Sequence, residues 1–260
     1  MQREPQRKRL LTDLPAFNAV QFRGLYLKPK SITQQLVKSV RLVVLEAILH
    51  APVLGRAGSA TLLRHGNANY IVTTRHELGI ANGATITNAM INQIRISSIN
   101  DERLTNIPTD LCIIEHQNPD QEYHDLLALR AVEGTPAMGR ERHNFVPVTS
   151  FAQCARHVSM FVGHPTLDGV MDYENDMVNL MTAVSNCTLD VSYQSNAQHL
   201  RRYRYADLDY HVDGFSGGAV FSLIGETGSM SVVFDGIITR GGNGYLHVID
   251  ADYVLTLLSA

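Results

Sequence analysis

The pattern of hydrophobic and polar positions changes near residue 39. Before that point the chain is polar, with one short amphipathic segment. Beyond it the chain breaks into short runs, rich in β-branched residues and separated by Gly, Asn or Pro. These runs are "VRLVVLEAIL", "SATLL", "NYIVTT", "NQIRISSI" and "TDLCIIE". Short strands at this spacing, with turn residues between them, are typical of an all-β barrel or sandwich.

A second group of strands follows a break in this pattern. Residues 131–147 concentrate Gly, Pro and charge, which indicates a linker. The later runs are "VSMFVGHP", "MVNLMTAVSNCTLDVSY", "GAVFSLI", "SMSVVFDGIIT" and "YLHVID". The sequence therefore predicts an all-β fold of two antiparallel β-barrels, the first over residues 39–130 and the second over residues 148–260.

One helix is predicted at each end of the chain. Residues 1–38 are expected to form a tail and a short helix, because "SITQQLVKS" starts at Ser31 and has Gln34 three residues later, as in a capping box. Near the carboxy terminus, Asp250 stands in a capping position before "ADYVLTLLS". The apolar residues of that segment lie on one helical face: Tyr253, Val254, Leu257 and Leu258.

Composition and charge exclude several classes of protein. The chain has 260 residues, of which 45% are hydrophobic and 18% charged, and its net charge of −3 gives no general attraction to nucleic acid or to anionic membranes. No apolar run is long enough to span a bilayer, so no membrane partner is expected. The three cysteines form no CxxC pair, so neither a disulfide framework nor a zinc site is expected. This cysteine usage fits a protein of the reducing cytoplasm. The sequence predicts no metal and no cofactor.

The stretch "VDGFSGGAVF", residues 212–221, encloses Ser216 between Gly214, Gly217 and Gly218. Glycine is costly inside regular structure, but it permits unusual dihedral angles and close approach of two backbones. A serine in such a setting is either part of a tight turn or a nucleophile. A serine nucleophile needs a base within hydrogen-bond reach and a third group that orients the base.

The chain offers one histidine in a suitable place for that base. In "NYIVTTRHEL", His76 follows directly after an apolar strand, and imidazole titrates near neutrality. Asp110 precedes the apolar run of "TDLCIIE" and is the predicted orienting carboxylate. Three further acids lie in polar contexts and are weaker choices: Asp101, Asp120 and Asp125. The candidate residues thus occur in the order His76, Asp110, Ser216.

These three ordered segments resemble those of trypsin-like serine proteases of the chymotrypsin fold, in particular the disulfide-poor bacterial HtrA type. "IVTTRHEL" resembles the family's "VTAAHC" or "LTNAHV", "TDLCII" resembles "DIALL", and "GFSGGAVF" resembles "GDSGGP" or "GNSGGP". The resemblance covers about residues 39–258. It implies a serine endopeptidase that cleaves protein or peptide substrates through an acyl-enzyme, without a cofactor.

The resemblance also implies a role for individual residues. Ser216 would be the nucleophile, His76 the general base and then acid, and Asp110 the orienting carboxylate, while the amides of Gly214 and Ser216 would form the oxyanion hole. "GIITRGGNG" resembles the strand that pairs with the substrate backbone. The implied substrate-binding residues are Tyr210, Asp213, Thr239, Arg240 and Gly241. Because Tyr210 stands at the base of the specificity pocket, we expect a preference for small or apolar side chains over Arg or Lys.

The sequence departs from the family beside the nucleophile. In the secreted relatives an Asp at the position of Phe215 pairs with an amino terminus that proteolysis creates. Phe215 carries no charge, so we expect the chain to need no amino-terminal processing. Packing of the ring in a hydrophobic niche is the expected substitute, and a regulatory protein partner is expected to bias it.

Three other interpretations remain open. A protease fold can survive as a catalytically weak or inactive binding module, because fold does not imply activity. "GFSGG" also matches the GxSxG elbow of α/β-hydrolases, although the βα alternation of that fold is not visible. In "HLRRYRYADLDY", residues 199–210, arginines interleave with tyrosines as in some nucleic-acid sites. That segment suits a pocket wall equally well, so a nucleic-acid partner is not expected.

Overall fold

A computed structural model describes the chain from residue 19 to residue 259, with gaps. The described residues are 19–47, 53–81, 84–97, 109–113, 123–150, 155–165, 171–172, 177–178, 181–206, 208, 211–226 and 229–259. The predicted tail, residues 1–14, lies outside them.

Strands dominate the described chain. In chain order they are β1 (Val20–Phe22), β2 (Leu25–Leu27), β3 (Val40–Ala47), β4 (Val53–His65), β5 (Ala68–Thr74), β6 (Ile94–Ile96), β7 (Thr109–Ile113), β8 (Leu126–Ala131), β9 (Val146–Pro147), β10 (Arg156–Gly163), β11 (Met171–Asp172), β12 (Met177–Val178), β13 (Ala183–Leu189), β14 (Leu200–Tyr205), β15 (Ala219–Ile224), β16 (Ser231–Gly242) and β17 (Tyr245–Asp250). The helices are α1 (Pro29–Val37), α2 (Asn88–Ile91), α3 (Pro136–Glu141) and α4 (Ala251–Leu258).

Most of the described strands form two curled sheets, while β11 and β12 pair with each other in a separate two-stranded sheet. In the first, the order is β6-β3-β4-β5-β8-β7, with β9 added in parallel to β4. In the second, the order β15-β10-β13-β14-β17-β16 closes on itself because β16 also pairs with β15, and the β1–β2 hairpin joins at β16. The prediction of an all-β, two-barrel fold of the chymotrypsin type is confirmed.

Alternation along the strands divides the core into three clusters. On β5, Ile71 packs inside the first barrel while its neighbour Val72 packs between the barrels, as the two-residue period of a strand requires. Phe161 and Val248 belong to the interior cluster of the second barrel. The inter-barrel cluster also includes residues of α1 and α4, so both terminal helices pack against the core between the barrels.

The two terminal helices differ in how well the sequence predicted their starts. The predicted capping box at Ser31 is wrong, because α1 begins earlier, at Pro29, and Lys28 is its N-cap without a side-chain bond. Proline suits the first helical position, since its fixed φ matches the helix and it has no N–H to satisfy. The Asp250 cap is confirmed: its Oδ1 accepts from the backbone N–H of Tyr253 at 3.1 Å. The predicted apolar face of α4 is buried. Among the described residues, no helix is long and apolar enough to cross a membrane.

Candidate active site

The serine loop, residues 212–218, presses against the first barrel. Gly214 and Gly217 have φ of 89° and 82°, in the left-handed region that favours glycine. A Cβ on Gly217 would lie 2.0 Å from the carbonyl oxygen of Ser59 on β4. The glycines around Ser216 are therefore needed for both backbone conformation and close approach.

Three hydrogen bonds fix this contact between the barrels. The N–H of Ser59 donates to the carbonyl of Ser216 at 3.0 Å, and its Oγ donates to the carbonyl of Gly214 at 2.7 Å. Thr61 Oγ1 donates to the carbonyl of Gly217 at 2.8 Å. Because β4 pairs with β5, these bonds place the serine loop beside the strand that leads to His76.

The amides of the serine loop fall into two groups. Those of Gly217 and Gly218 donate to the carbonyls of Ile238 and Phe215, both at 2.8 Å. Those of Gly214 and Ser216 have no acceptor among the described residues. Two uncommitted N–H donors in one buried loop are the kind of group that stabilises a developing oxyanion.

His76 begins a short 3₁₀ turn immediately after β5 and is oriented by a carboxylate. Its Nδ1 lies 2.7 Å from Oδ2 of Asp125, and its backbone N–H donates to Oδ1 of the same carboxylate at 3.1 Å. The register explains the contact, since Thr74 on β5 pairs with Leu126 on β8, one residue beyond Asp125. This carboxylate favours the tautomer with the proton on Nδ1, which leaves Nε2 as the basic nitrogen.

The carboxylate bonded to His76 is thus Asp125, and the assignment of this role to Asp110 is corrected. Asp110 lies on β7 opposite Arg130, and Arg130 pairs with Tyr70 on β5. Thr74 lies four positions after Tyr70, which at the rise of a strand is a distance of about 13 Å. The register therefore puts Asp110 near the opposite end of β5 from His76.

A sequence signal for Asp125 existed. "DLLAL", residues 125–129, places a carboxylate directly before an apolar run, and it matches the family's "DIALL" at least as well as "TDLCI" does. The strand is buried from Leu126 to Leu129. The preceding "HQNPDQEYH" gives Asp125 a polar context on its amino-terminal side, which masks this signal in the sequence.

A second carboxylate faces the other ring nitrogen. His76 Nε2 lies 3.5 Å from Oε1 of Glu77, while the side chain of His76 is 48% exposed and that of Glu77 17%. Gly58 on β4 makes room for Glu77, since a Cβ there would lie 2.8 Å from its Cδ. The hydrogen bond to Asp125, followed by that to Glu77, raises the pKa of His76 from 6.5 to about 10. The imidazole is therefore charged at neutral pH.

Ser216 is 7% exposed, and its hydroxyl points to a backbone acceptor. Its Oγ donates to the carbonyl of Thr239 at 3.1 Å. Within the described part of the chain, no hydrogen bond joins Ser216 to His76. Ser216 and His76 thus lie on adjoining elements without a hydrogen bond between them in the described part of the chain.

Phe215, next to Ser216, is fully buried in the second barrel. Its ring meets that of Phe161 edge-on, with centroids 5.3 Å apart. Gly163 provides the space, because a Cβ there would lie 2.3 Å from the Phe215 ring. The predicted hydrophobic niche exists, and the ring occupies it.

A cleft of about 290 Å³ opens beside the serine loop. It is lined by Tyr205, Leu208, His211, Val212, Asp213 and residues 241–244. The cleft thus includes Asp213 and Gly241 of the predicted substrate-binding set, whereas Tyr210 lies outside the described residues. Pairing between β15 and β16 ends at Ile237, so the β16 edge from Thr239 through Arg240 faces the serine loop instead of β15.

The arginine-rich strand β14 is occupied by contacts within the chain. The guanidinium of Arg202 lies 4.4 Å from the ring centroids of both Tyr193 and Tyr245 and pairs with Asp190 at 2.6 Å. A cation already stacked and neutralised in this way is poorly placed to bind nucleic acid. Within the described ranges, no group of three or more His, Cys, Asp or Glu could hold a metal ion.

Comparison with known proteins supports the fold. No family model matches the chain, and no curated protein matches it. Among solved structures, the thermostable serine protease AL20 from an extremophilic microorganism is similar with a TM-score of 0.52 and 14% identity, over 86% of this chain and 98% of that one. The tobacco vein mottling virus protease is similar with a TM-score of 0.45 and 13% identity, over 87% of this chain and 84% of that one. The chain has the two-barrel fold of chymotrypsin-like proteases.

Proposed function

We propose that this protein is a serine endopeptidase of the trypsin-like type. The observation that carries the proposal is the Asp125–His76 pair, which lies beside a buried serine loop with two uncommitted amides. Ser216 would attack the peptide carbonyl, while His76 Nε2 takes its proton and later gives it to the leaving amine. The amides of Gly214 and Ser216 would stabilise the tetrahedral oxyanion.

The substrate would bind as an added strand on the edge of β16 near Thr239. Its side chain before the scissile bond would enter the cleft beside Gly241. The apolar lining from Leu208 and Val212 supports a preference for small or apolar side chains, as expected from the sequence. Asp213 also lines the cleft, and its carboxylate would give the cleft a negative charge. Strong cleavage of a peptide library after Arg or Lys would contradict this preference.

The geometry supports a resting state that must open before catalysis. A His76 held between Asp125 and Glu77 is charged and cannot accept the proton of Ser216. Activation would require Glu77 to move or become neutral, so that Nε2 turns toward Ser216. A protein partner or the substrate itself would bias this change. The cysteine usage supports a cytoplasmic location, where restraint of a protease is needed.

The alternative is a protease-fold binding module with little or no activity. It is favoured by one observation, the hydroxyl of Ser216 bonded to Thr239 instead of His76. Activity measurements on Ser216→Ala, His76→Ala and the double variant separate the two functions. A protease loses turnover in each single variant, and the double variant is scarcely worse, because the members of a triad act as a unit.

Ser229→Ala is the matched control, since Ser229 is exposed and, among the described residues, its hydroxyl bonds only to the carbonyl of Glu226, at 3.4 Å. Turnover should survive in this control and in the presence of EDTA. Undiminished turnover in Ser216→Ala would contradict the proposal, and absence of turnover in every protein, activated or not, would favour the binding module.

A further inference from the structure

A cavity that shares no lining residue with the serine loop is lined by cations and by no carboxylate. This hairpin cavity, of about 270 Å³, lies between the β1–β2 hairpin, the end of α1, β4 and the segment after α3. Its apolar wall includes Phe22 and Phe145. The basic residues that line it are Arg23, Lys38, Arg64, Arg142 and His143. No Asp or Glu is among its lining residues.

Arg23 is the most constrained of these residues. It occupies the turn between β1 and β2 with φ of 54°, a left-handed conformation that is uncommon for residues other than glycine. Its Nη1 donates to the carbonyl of His143 at 2.6 Å and its Nη2 to the carbonyl of Gln35 at 2.9 Å and to the hydroxyl of Ser39. Its Nε is buried without a partner. Gly24, which follows it, has φ of 78°, and positive φ at both central residues is the ordinary geometry of a two-residue β-hairpin turn.

Among the described residues, the guanidinium of Arg23 is met by neutral acceptors and by the Phe22 ring, whose centroid lies 4.6 Å from its Cζ. Burial, followed by the nearby cations Arg41 and Arg64, lowers its pKa from 12.5 to about 9. The buried acid Glu141, next to Arg142 in the chain, already has partners, because its Oε2 accepts from Arg41 at 2.6 Å and from the Asn144 side chain at 2.7 Å. Among the described residues, none of the four Arg and Lys side chains of the cavity forms an ion pair.

We propose that the hairpin cavity binds a small phosphate-type oxyanion. Guanidinium groups match the geometry of phosphate oxygens and donate to them in pairs, which makes arginine the preferred residue for this ligand. The volume lies just below the range of ordinary small-molecule sites, so it fits a compact anion better than a large organic ligand. Binding would tie the amino-terminal hairpin to the segment that joins the barrels. The inference is independent of the proposed protease activity.

The test is titration calorimetry and thermal melting of the full chain with sodium phosphate and with pyrophosphate, against sodium chloride at equal ionic strength. We expect saturable binding at one site and a rise in Tm of about 3–5 °C at ten times Kd. The variant Arg64→Gln/Arg142→Gln should weaken binding by about tenfold or more, because charge-assisted hydrogen bonds are lost. Arg142→Gln alone, at an exposed position, should weaken binding less than the double variant. It replaces the double variant in the test if that variant has a lowered Tm in sodium chloride.

Arg130→Gln is the matched control, since Arg130 is an exposed cation on β8 outside the cavity. Its Kd should stay within about twofold, because distant surface charges are screened by salt. Equal weakening in this control, or the absence of saturable binding, would overturn the proposal. A single-stranded RNA that binds more tightly than pyrophosphate would also overturn the proposal, provided that this RNA binding is lost in the double variant. That result would favour a nucleic-acid surface.

Discussion

The two halves of the candidate site are held by different forces. On the first barrel, His76 is half exposed and positioned by the carboxylates of Asp125 and Glu77. On the second barrel, Ser216 sits in a buried loop, fixed by backbone hydrogen bonds and by the packed ring of Phe215. Charge therefore sets the protonation of His76, while packing sets the position of Ser216.

This difference assigns the resting state to the histidine half. Packed interiors are close to crystal density and do not deform continuously. A charge interaction at a half-exposed side chain responds to pH, salt and a single neutral substitution. The two halves should therefore respond to different substitutions, charge-neutral ones at the histidine half and changes of volume at the serine half.

The largest effect is expected at Asp125. Asp125→Asn keeps the shape of the side chain but favours the wrong tautomer of His76, so kcat should fall by about 10⁴-fold. Asp110→Asn should leave kcat within about twofold, because its strand register places it near the other end of β5. Peptide hydrolysis by the two variants provides the measurement, and the reverse ranking would restore Asp110 as the orienting carboxylate.

The next largest effect concerns the packed half. Phe215→Ala removes a fully buried ring and should lower the free energy of unfolding by about 3–5 kcal/mol. Phe215→Leu, which refills most of the niche, should cost less than about 1.5 kcal/mol. Urea unfolding measures both. If the two variants were equally stable, the ring would not anchor the serine loop by packing.

Alanine substitutions at two glycines separate the energetic cost of a steric collision from the cost of a left-handed backbone conformation. Gly217→Ala combines a positive φ with a collision against the backbone of Ser59, so about 2–4 kcal/mol of stability should be lost. Gly66→Ala has a similar positive φ but nothing within 4 Å, and about 1 kcal/mol should be lost. Thermal melting distinguishes them, and equal losses would mean that the serine loop does not need the close approach.

The smallest effect is expected at Glu77, on the charge-held half. Catalysis needs neutral His76, whose raised pKa is about 10, so the rate of acylation should rise with pH up to that value. Glu77→Gln removes one stabilising charge and lowers the pKa of His76. Each unit of lowering increases the neutral fraction at pH 7 by tenfold, so we expect a gain of about tenfold.

Glu226→Gln, at an exposed position outside the His76 site, is the control and should leave the pH profile of acylation unchanged. A pH profile of Glu77→Gln identical to that of the unmodified chain would show that Glu77 does not hold His76 in its charged form.

The raised pKa of His76 also affects folding. Because the folded pKa of His76 is raised, its contribution to stability is complete below about pH 6.5 and is lost as pH rises through about 10.

The sequence predicted the parts of the site that lie within short motifs. His76 follows a buried strand and Ser216 sits among glycines, and both signals need only a few neighbouring residues. The choice between Asp110 and Asp125 depends on how β7, β8 and β5 are registered, which is a property of the whole sheet. Both acids precede apolar runs, so local pattern could not separate them.

Other features depend on contacts between distant residues and have no local signal. The position of Glu77 depends on the missing side chain of Gly58 on a neighbouring strand. The niche for Phe215 depends on Gly163, more than fifty residues away. The hairpin cavity collects cations from positions 23, 38, 64 and 142, which only the packing of the hairpin against the linker brings together.

The most direct test of the central claim is labelling of the intact chain with a fluorophosphonate, followed by peptide mapping and amino-terminal sequencing. We predict one phosphonylated residue, Ser216, in chains that retain their first residues, with a rate that rises toward pH 10 and is faster in Glu77→Gln. Labelling would be lost in His76→Ala, since Ser216 would have no base. Labelling at another serine, or only in chains that have lost their first residues, would contradict the account.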